Sequence, residues 1–330
     1  MSNETRSNVL PAGYAVRRPT LADLEQVFAV VDAAAIAEHG ASDFSLEDFR
    51  SGWQRSDFDL ATDAWLVVAP DRQIAAYADV THRQHASMDA WVSVHPRHLE
   101  RGIGTYLMRQ TEVRAREHIP LAAPQARVVI QRWLSTANAP ALRLAEHEGY
   151  TPVRRFLRML ADLGDAVPVP EWPDGITVRT FVPGQDAHAV YDAFETSFQD
   201  HWGHTTVPFD LWEGRMLKRD DFDPSLWFLA LDGQQIAGFA LCRPYIDMGW
   251  VDDLGVLRHW RRNGLGLALL RHAFRAFQDR GFSKAALGVD AHSLTGATRL
   301  YERAGMRAFR QWDIYEKELR PGIDLTTQSI

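Results

Sequence analysis

Residues 261–270 read Arg261-Arg262-Asn263-Gly264-Leu265-Gly266-Leu267-Ala268-Leu269-Leu270. The stretch follows an apolar segment ending Leu254-Gly255-Val256 and opens a run with helical spacing. A glycine-bearing turn between a strand and a helix aims successive backbone N–H groups at one spot and makes an anion site. Glycines let a phosphate reach the main chain with no Cβ in the way, and arginines add charge-assisted donors. The ligand expected here is phosphorylated, with a pyrophosphate the best fit. Two common phosphate loops do not match. A P-loop needs Gly-Lys-Ser/Thr, which is absent. A dinucleotide fingerprint wants a third small residue where Leu269 stands, and a parallel βαβ unit around it. That leaves an NAD-dependent dehydrogenase a remote alternative.

Working outward, the same phrase occurs twice. The glycine pair Gly264/Gly266 has a counterpart in Gly102/Gly104, close to half of the 330-residue chain away. Each half opens with an alternating segment, Tyr14–Thr20 or Ile176–Phe181, and a helical run ending at Glu38 or Phe198. A hairpin follows, Ala64–Ala69 with Gln73–Val80, or Leu226–Leu231 with Gln235–Leu241. Third strands at Met88–Val94 and Trp250–Val256 lead into the glycine turns and into helices over 102–117 and 264–279. Further strands at Arg127–Trp133 and Lys284–Val289 precede short helices ending at Gly149 and Gly305, each suited to a left-handed helix end. A last strand, 153–160 or 307–318, is expected to close its own repeat. Between the repeats Pro168, Pro170 and Pro173 give a stiff connector. The expected division is 12–161, a linker over 162–175, and 176–320.

Strand, then Arg-x-x-Gly-x-Gly, then helix resembles the acyl-CoA pyrophosphate loop of the GNAT acyltransferase superfamily. Val289-Asp290-Ala291, Thr295-Gly296-Ala297 and Leu300-Tyr301-Glu302-Arg303-Ala304-Gly305-Met306 are similar to that family's final helix and the approach to it. The strand order and the turn-to-tyrosine spacing agree. The resemblance covers nearly the whole chain, once per half, and is to the tandem type. It implies an α+β fold of two GNAT domains, each a mixed, mostly antiparallel sheet flanked by helices. It implies acetyl-CoA as acyl donor, with no metal, and direct transfer of acetyl to a primary amine of a small molecule in a ternary complex.

On that resemblance Arg261, Arg262, Asn263, Gly264, Leu265 and Gly266 bind the pyrophosphate. Backbone groups of Leu254 and Val256 hold the pantetheine arm. Tyr301 is the acid that protonates the departing sulfur. An alkylammonium has a pKa of roughly 10.4, so a proton acceptor for the amine is also needed. Asp252 is the first candidate for that base or for an amine anchor, because it shares a face with Trp250 if the strand runs unbroken. A bulge would reverse the choice, and Asp253 is the second candidate. The ordinary alternative for Tyr301 is a core tyrosine on an amphipathic helix. In the first half Val94, Arg101, Gly102, Ile103 and Gly104 could still hold a CoA phosphate. There Leu99 replaces the expected arginine or glutamine, and Ala145 stands where Tyr301 stands, so that half is expected to be degenerate. Ser293 replaces a common asparagine. His201 and His204, beside Trp202, suit the lining of an amine pocket better than a metal site, for which no third ligand is evident.

The composition is that of an ordinary globular protein, 46% hydrophobic and 24% charged. A net charge of −7 with no basic run speaks against nucleic acid. No 18–20-residue apolar stretch suggests a membrane span, and the polar Met1–Pro11 lacks the apolar centre of a signal peptide, so a cytoplasmic location is expected. The single cysteine, Cys242, permits no intrachain disulfide, and with no base beside it an acyl-cysteine intermediate is not expected. The composition leaves the oligomeric state open. Two other functions fit the same sequence: a non-catalytic acyl-CoA-binding regulatory or scaffold protein, and an acyltransferase acting on protein amines.

Overall fold

The computed structural model describes residues 9–164, 167–293 and 296–327. Thr295 of the final-helix motif, part of the proline connector and most of the polar N-terminal segment lie outside the described residues. In chain order the first repeat contains β1 (Ala15–Arg17), α1 (Leu24–His39), α2 (Leu46–Trp53), α3 (Leu60–Asp63), β2 (Ala64–Val68) and β3 (Ile74–Arg83). It continues with β4 (Ser87–Val94), α4 (Ile103–Glu117), β5 (Val128–Ser135), α5 (Ala139–His147) and β6 (Thr151–Asp162). The second repeat contains β7 (Ile176–Thr180), α6 (Ala187–Phe198), α7 (Phe209–Met216), β8 (Trp227–Asp232) and β9 (Gln235–Tyr245). It ends with β10 (Met248–Val256), α8 (Leu265–Asp279), β11 (Lys284–Asp290), α9 (Ala297–Arg303) and β12 (Arg307–Arg320). No helix is long and apolar enough to cross a membrane among the described residues.

The chain folds into two compact units, each a mixed sheet flanked by helices. One comprises the residues up to Val153 with Trp312–Leu325, the other Arg154–Gln311 with the residues from Thr326 on. Strand order in the first is β1-β2-β3-β4-β5-β12, and in the second β7-β8-β9-β10-β11-β6. Neighbouring strands are antiparallel except β4–β5 and β10–β11, which are parallel. The last strand of each repeat does not close its own repeat. Phe156–Asp162 of β6 pairs with β11, and Trp312–Arg320 of β12 pairs with β5. Each compact unit is therefore discontinuous in sequence, unlike the expected blocks 12–161 and 176–320. Alternation reports which face of a strand is buried, not which strand lies beside it.

Each sheet is covered on both faces. In the second unit Leu265, Leu269, Ala273 and Phe277, spaced four apart, put one stripe of α8 into a core with Val251, Cys242 and Tyr301. On the opposite face α6 and α7 pack Val190, Ala193 and Trp212 against Trp227, Phe239 and Leu241. In the first unit α4 contributes Ile103, Leu107 and Met108 to one face. Val27, Val31, Phe49 and Trp53 of α1 and α2 cover the other. Burial pushes the Cys242 thiol well up, consistent with an inert core cysteine.

Candidate active site

The two glycine turns share one backbone shape. Gly264 and Gly102 begin α8 and α4 in the left-handed conformation, with φ of 84° and 79°. Two residues earlier Arg262 and Glu100 also have positive φ, 68° and 59°. Neither helix start is capped by a side chain, so the first N–H groups stay available to a ligand. A Cβ built at Gly264 or Gly102 meets nothing within 4 Å, which leaves room for an anion. Gly266 serves packing as well, since a Cβ there would lie 3.2 Å from Leu300 of α9. Leu265 is buried, so only its backbone can serve the turn. Arg262 and Asn263 are exposed. Arg261 reaches back: its Nε donates to the Val256 carbonyl at 2.9 Å, and a terminal nitrogen donates to Ser197 O at 3.4 Å. The carbonyl expected to hold the pantetheine arm is thus held by the turn's own arginine.

Beside this turn two parallel strands separate. β10 and β11 pair only at Gly249–Val251 with Ala285–Leu287. Beyond that point β10 stays on β9 as far as Val256, and β11 stays on β6 as far as Asp290. The facing edges at 252–256 and 288–290 have no ladder with each other. Such edges can take hydrogen bonds from an extended ligand that carries amides. Gly288 lies on this edge, exposed and with nothing within 4 Å of a built Cβ. Leu254 and Val256 lie on the other edge and lead into the Arg261–Gly266 turn.

The strand bulges at the start of this separation. Val251 lies opposite Cys242 and Asp253 opposite Leu241, so Asp252 is the extra residue. A bulge resets the alternation of side chains, and the two aspartates acquire different surroundings. Asp252 accepts from Arg243 Nε with both oxygens at 3.1 Å, and Arg243 also lies 3.3 Å from Asp221. Among the described residues Asp253 has no such cation. Burial, with the charge of Asp252 added, pushes its carboxyl up to about 8. Tyr301, on α9, is 8% exposed. Burial and then the charge of Asp253 push its phenol up to about 12, and no hydrogen bond to its hydroxyl is found among the described residues. The unbroken strand on which the choice of Asp252 depends is therefore not present, and Asp253 is the aspartate whose charge acts on Tyr301. The adjacent pair Asp252-Asp253 within an apolar strand was the visible signal. Which member pairs with Arg243 and which is left without it depends on a bulge that alternation cannot locate.

The first unit keeps the turn and loses the rest. β4 pairs with β3 through eight consecutive positions without a bulge. β4 and β5 also separate after three pairs, the last being Asp89 with Gln131. The next residue of β5 is the buried Arg132, on the α4 face of the strand with Val128 and Ile130. It donates to Met108 O at 2.9 Å, Thr111 Oγ1 at 2.8 Å and Tyr150 Oη at 3.1 Å. Ala145 is fully buried where Tyr301 stands in the other unit. Val94 and Leu144 lie 3.9 and 3.8 Å from a built Cβ at Gly104. Among the described residues Arg101 reaches the Arg97 carbonyl, at 3.5 Å. The ties of Arg132 to α4 and Tyr150 were not legible in the sequence, because its partners lie 18 to 24 residues away.

The segment 198–204 stays near the open end of β11. His201 packs edge-on against Phe198, is held down by burial, and feels the charge of Asp290. Arg154, paired with Asp290 at 2.7 Å, stacks over Trp202 at 5.6 Å. His204 lies 3.2 Å from Glu195. The segment adds aromatic and imidazole groups, not a ligand triad. Ser293 follows the site on the loop to α9, with its N–H on Asp290 O at 3.1 Å.

Known proteins resemble this chain in sequence and in fold. A sequence profile described as the acetyltransferase (GNAT) family matches residues 34–150 and 187–306. A mycothiol acetyltransferase of Thermomonospora curvata is 32% identical over 292 residues, covering 87% of this chain and 91% of its own length. The crystal structure of a GCN5-related N-acetyltransferase from Sphaerobacter thermophilus superposes with a TM-score of 0.82 at 39% identity, covering 97% of this chain and all of that one. A tandem GNAT protein from the clavulanic acid biosynthesis pathway shares the fold at a TM-score of 0.71 and 16% identity, covering 94% of this chain and 100% of its own.

Proposed function

The chain belongs to the acetyltransferase (GNAT) family, and we propose that its C-terminal half moves acetyl from acetyl-CoA directly to a primary amine of a small molecule. The observation that carries this reading is Tyr301, a buried phenol on the helix whose Leu300 packs against Gly266 of the Arg261–Gly266 turn. Donor and acceptor are bound together. The amine nitrogen attacks the thioester carbonyl, the C–N bond forms, and the C–S bond breaks. The amine loses one proton and the sulfur gains one, giving an amide and CoA thiol.

The residues divide these tasks. The backbone N–H groups of the turn and the guanidinium groups of Arg261 and Arg262 hold the pyrophosphate. The open edge carrying Leu254 and Val256 holds the pantetheine arm, with Arg261 giving up the Val256 carbonyl as the ligand enters. Tyr301 stays protonated at neutral pH and donates to the sulfur. Asp253 accepts the amine proton directly or through water. Its raised pKa brings it closer to that of the amine than an ordinary carboxylate would be. Asp252 fixes Arg243 and so shapes the amine side. The N-terminal half is a degenerate copy that keeps a phosphate turn and no chemistry. Mycothiol-type amines are the first acceptors to try, given the named relatives.

The reading is tested by amine-dependent release of CoA thiol from acetyl-CoA over a panel of small amines and lysine peptides. Turnover with small amines is expected. Tight acetyl-CoA binding without turnover on any amine would favour the regulatory reading, and turnover on peptides alone would favour the protein-amine reading. Gly264→Val should raise the KM for acetyl-CoA by about tenfold or more. A β-branched residue at φ 84° is strained and its side chain occupies the phosphate's space.

A further inference from the structure

Three imidazoles converge in the first unit, at the far end of α4 from the Gly102 turn. The helix has 15 residues, so the two ends are about 22 Å apart. His82 is near the end of β3, His85 is in the turn between β3 and β4, and His118 follows the last residue of α4. The Nδ1 atoms of His85 and His118 are 2.8 Å apart. His82 stacks on His85 with ring centroids 4.0 Å apart and lies 4.8 Å from the His118 ring. One nitrogen from each of the three lies within 4.8 Å of the others, the one such cluster among the described residues.

We propose that His82, His85 and His118 bind a divalent transition-metal ion, zinc foremost, which ties the β3–β4 turn to the C-terminal end of α4. Three imidazoles are a donor set that suits zinc and its neighbours. Zn–N bonds of about 2.0–2.1 Å place tetrahedral nitrogens about 3.3 Å apart. The His85 and His118 nitrogens need only part by about half an ångström from their present contact. Without metal those two nitrogens share one hydrogen, and with metal each turns a lone pair inward.

The charges around the cluster are of both signs: the guanidinium groups of Arg55 and Arg114 act on His82 and His118. The carboxylates of Asp57 and Asp63 act on His82. Each is also held by an arginine at 2.8 Å, Asp57 by Arg55 and Asp63 by Arg114, so a fourth ligand is a water or an added molecule. The negative end of the α4 dipole points at the cluster. His118 is 3% exposed, which shields the site from competing water. The β3–β4 turn is costly as built: Gln84 and His85 both have positive φ, 49° and 56°, where asparagine and glycine are the usual occupants. No sequence spacing announces the site, because 82, 85 and 118 meet only through the hairpin and the helix end.

The test uses the tag-free full chain, stripped with a chelator and titrated with Zn2+ by calorimetry and with Co2+ by visible absorption. One Zn2+ per chain is expected, with a Tm raised by a few degrees at saturation and with cobalt bands of a low-coordinate site. His85→Asn suits the positive φ of the turn. It is expected to keep the metal-free Tm at or above wild type and to weaken Zn2+ binding at least tenfold. His82→Gln is expected to weaken it similarly. Absence of stoichiometric binding to the wild type, or equal binding by both variants, overturns the proposal and leaves a hydrogen-bonded imidazole stack.

Discussion

Tyr301→Phe is expected to lower kcat for acetyl transfer by about 10²–10⁴-fold, the usual contribution of a positioned proton donor. The KM for acetyl-CoA should change little, because the phosphate turn and the open strand edges are untouched. The Tm should not fall. Among the described residues the hydroxyl has no hydrogen bond to lose, and phenylalanine fills the same space beside Leu269 and Val289 in the α8–α9 core. Separating kcat from stability distinguishes a donor from a core tyrosine, whose loss of hydroxyl would leave the rate alone.

Asp253→Asn is expected to lower kcat by about 10²-fold or more and to alter its pH dependence. With the wild-type carboxyl at about 8, the ionised base fills as pH rises through that value, so kcat should climb and then level. The variant should lose this limb. Stability moves the opposite way. The folded-state pKa lies above the ordinary carboxylate value of 3.8. Between those two pH values the folded form keeps a proton that the unfolded form has lost, and stability falls as pH rises through the window. Asp253→Asn should therefore be more stable than wild type at pH 8 and above, and less so at pH 4. A variant both slower and more stable is the mark of a group strained for chemistry. Asp252→Asn should slow transfer by less than tenfold and lower the Tm, because it breaks the pair with Arg243.

Much of this site is local in sequence and was legible there. The Arg261–Gly266 turn, its Gly102 counterpart and the helix bearing Tyr301 each occupy a few consecutive residues whose backbone demands are written in glycine. The parts that sequence did not reveal depend on residues far apart. The exchange of β6 and β12 is a choice of neighbouring strand, which alternation within a strand does not encode. The bulge at Asp252 shows only against β9, and it gives the two aspartates different surroundings. Arg132 is buried on the α4 face, and its role shows only through its partners on α4 and at Tyr150. In the same way His82, His85 and His118 have no motif spacing, and a hairpin turn and a helix end bring them together.

The central claim, one chemical site in a chain with two phosphate turns, is tested most directly by the crystal structure of the acetyl-CoA complex. The account predicts a pyrophosphate on the N–H groups at 264–266, the pantetheine arm along 252–256, and the thioester sulfur within hydrogen-bond reach of Tyr301 Oη. A pyrophosphate seated on the Gly102 turn alone, or a sulfur out of reach of Tyr301, would contradict it.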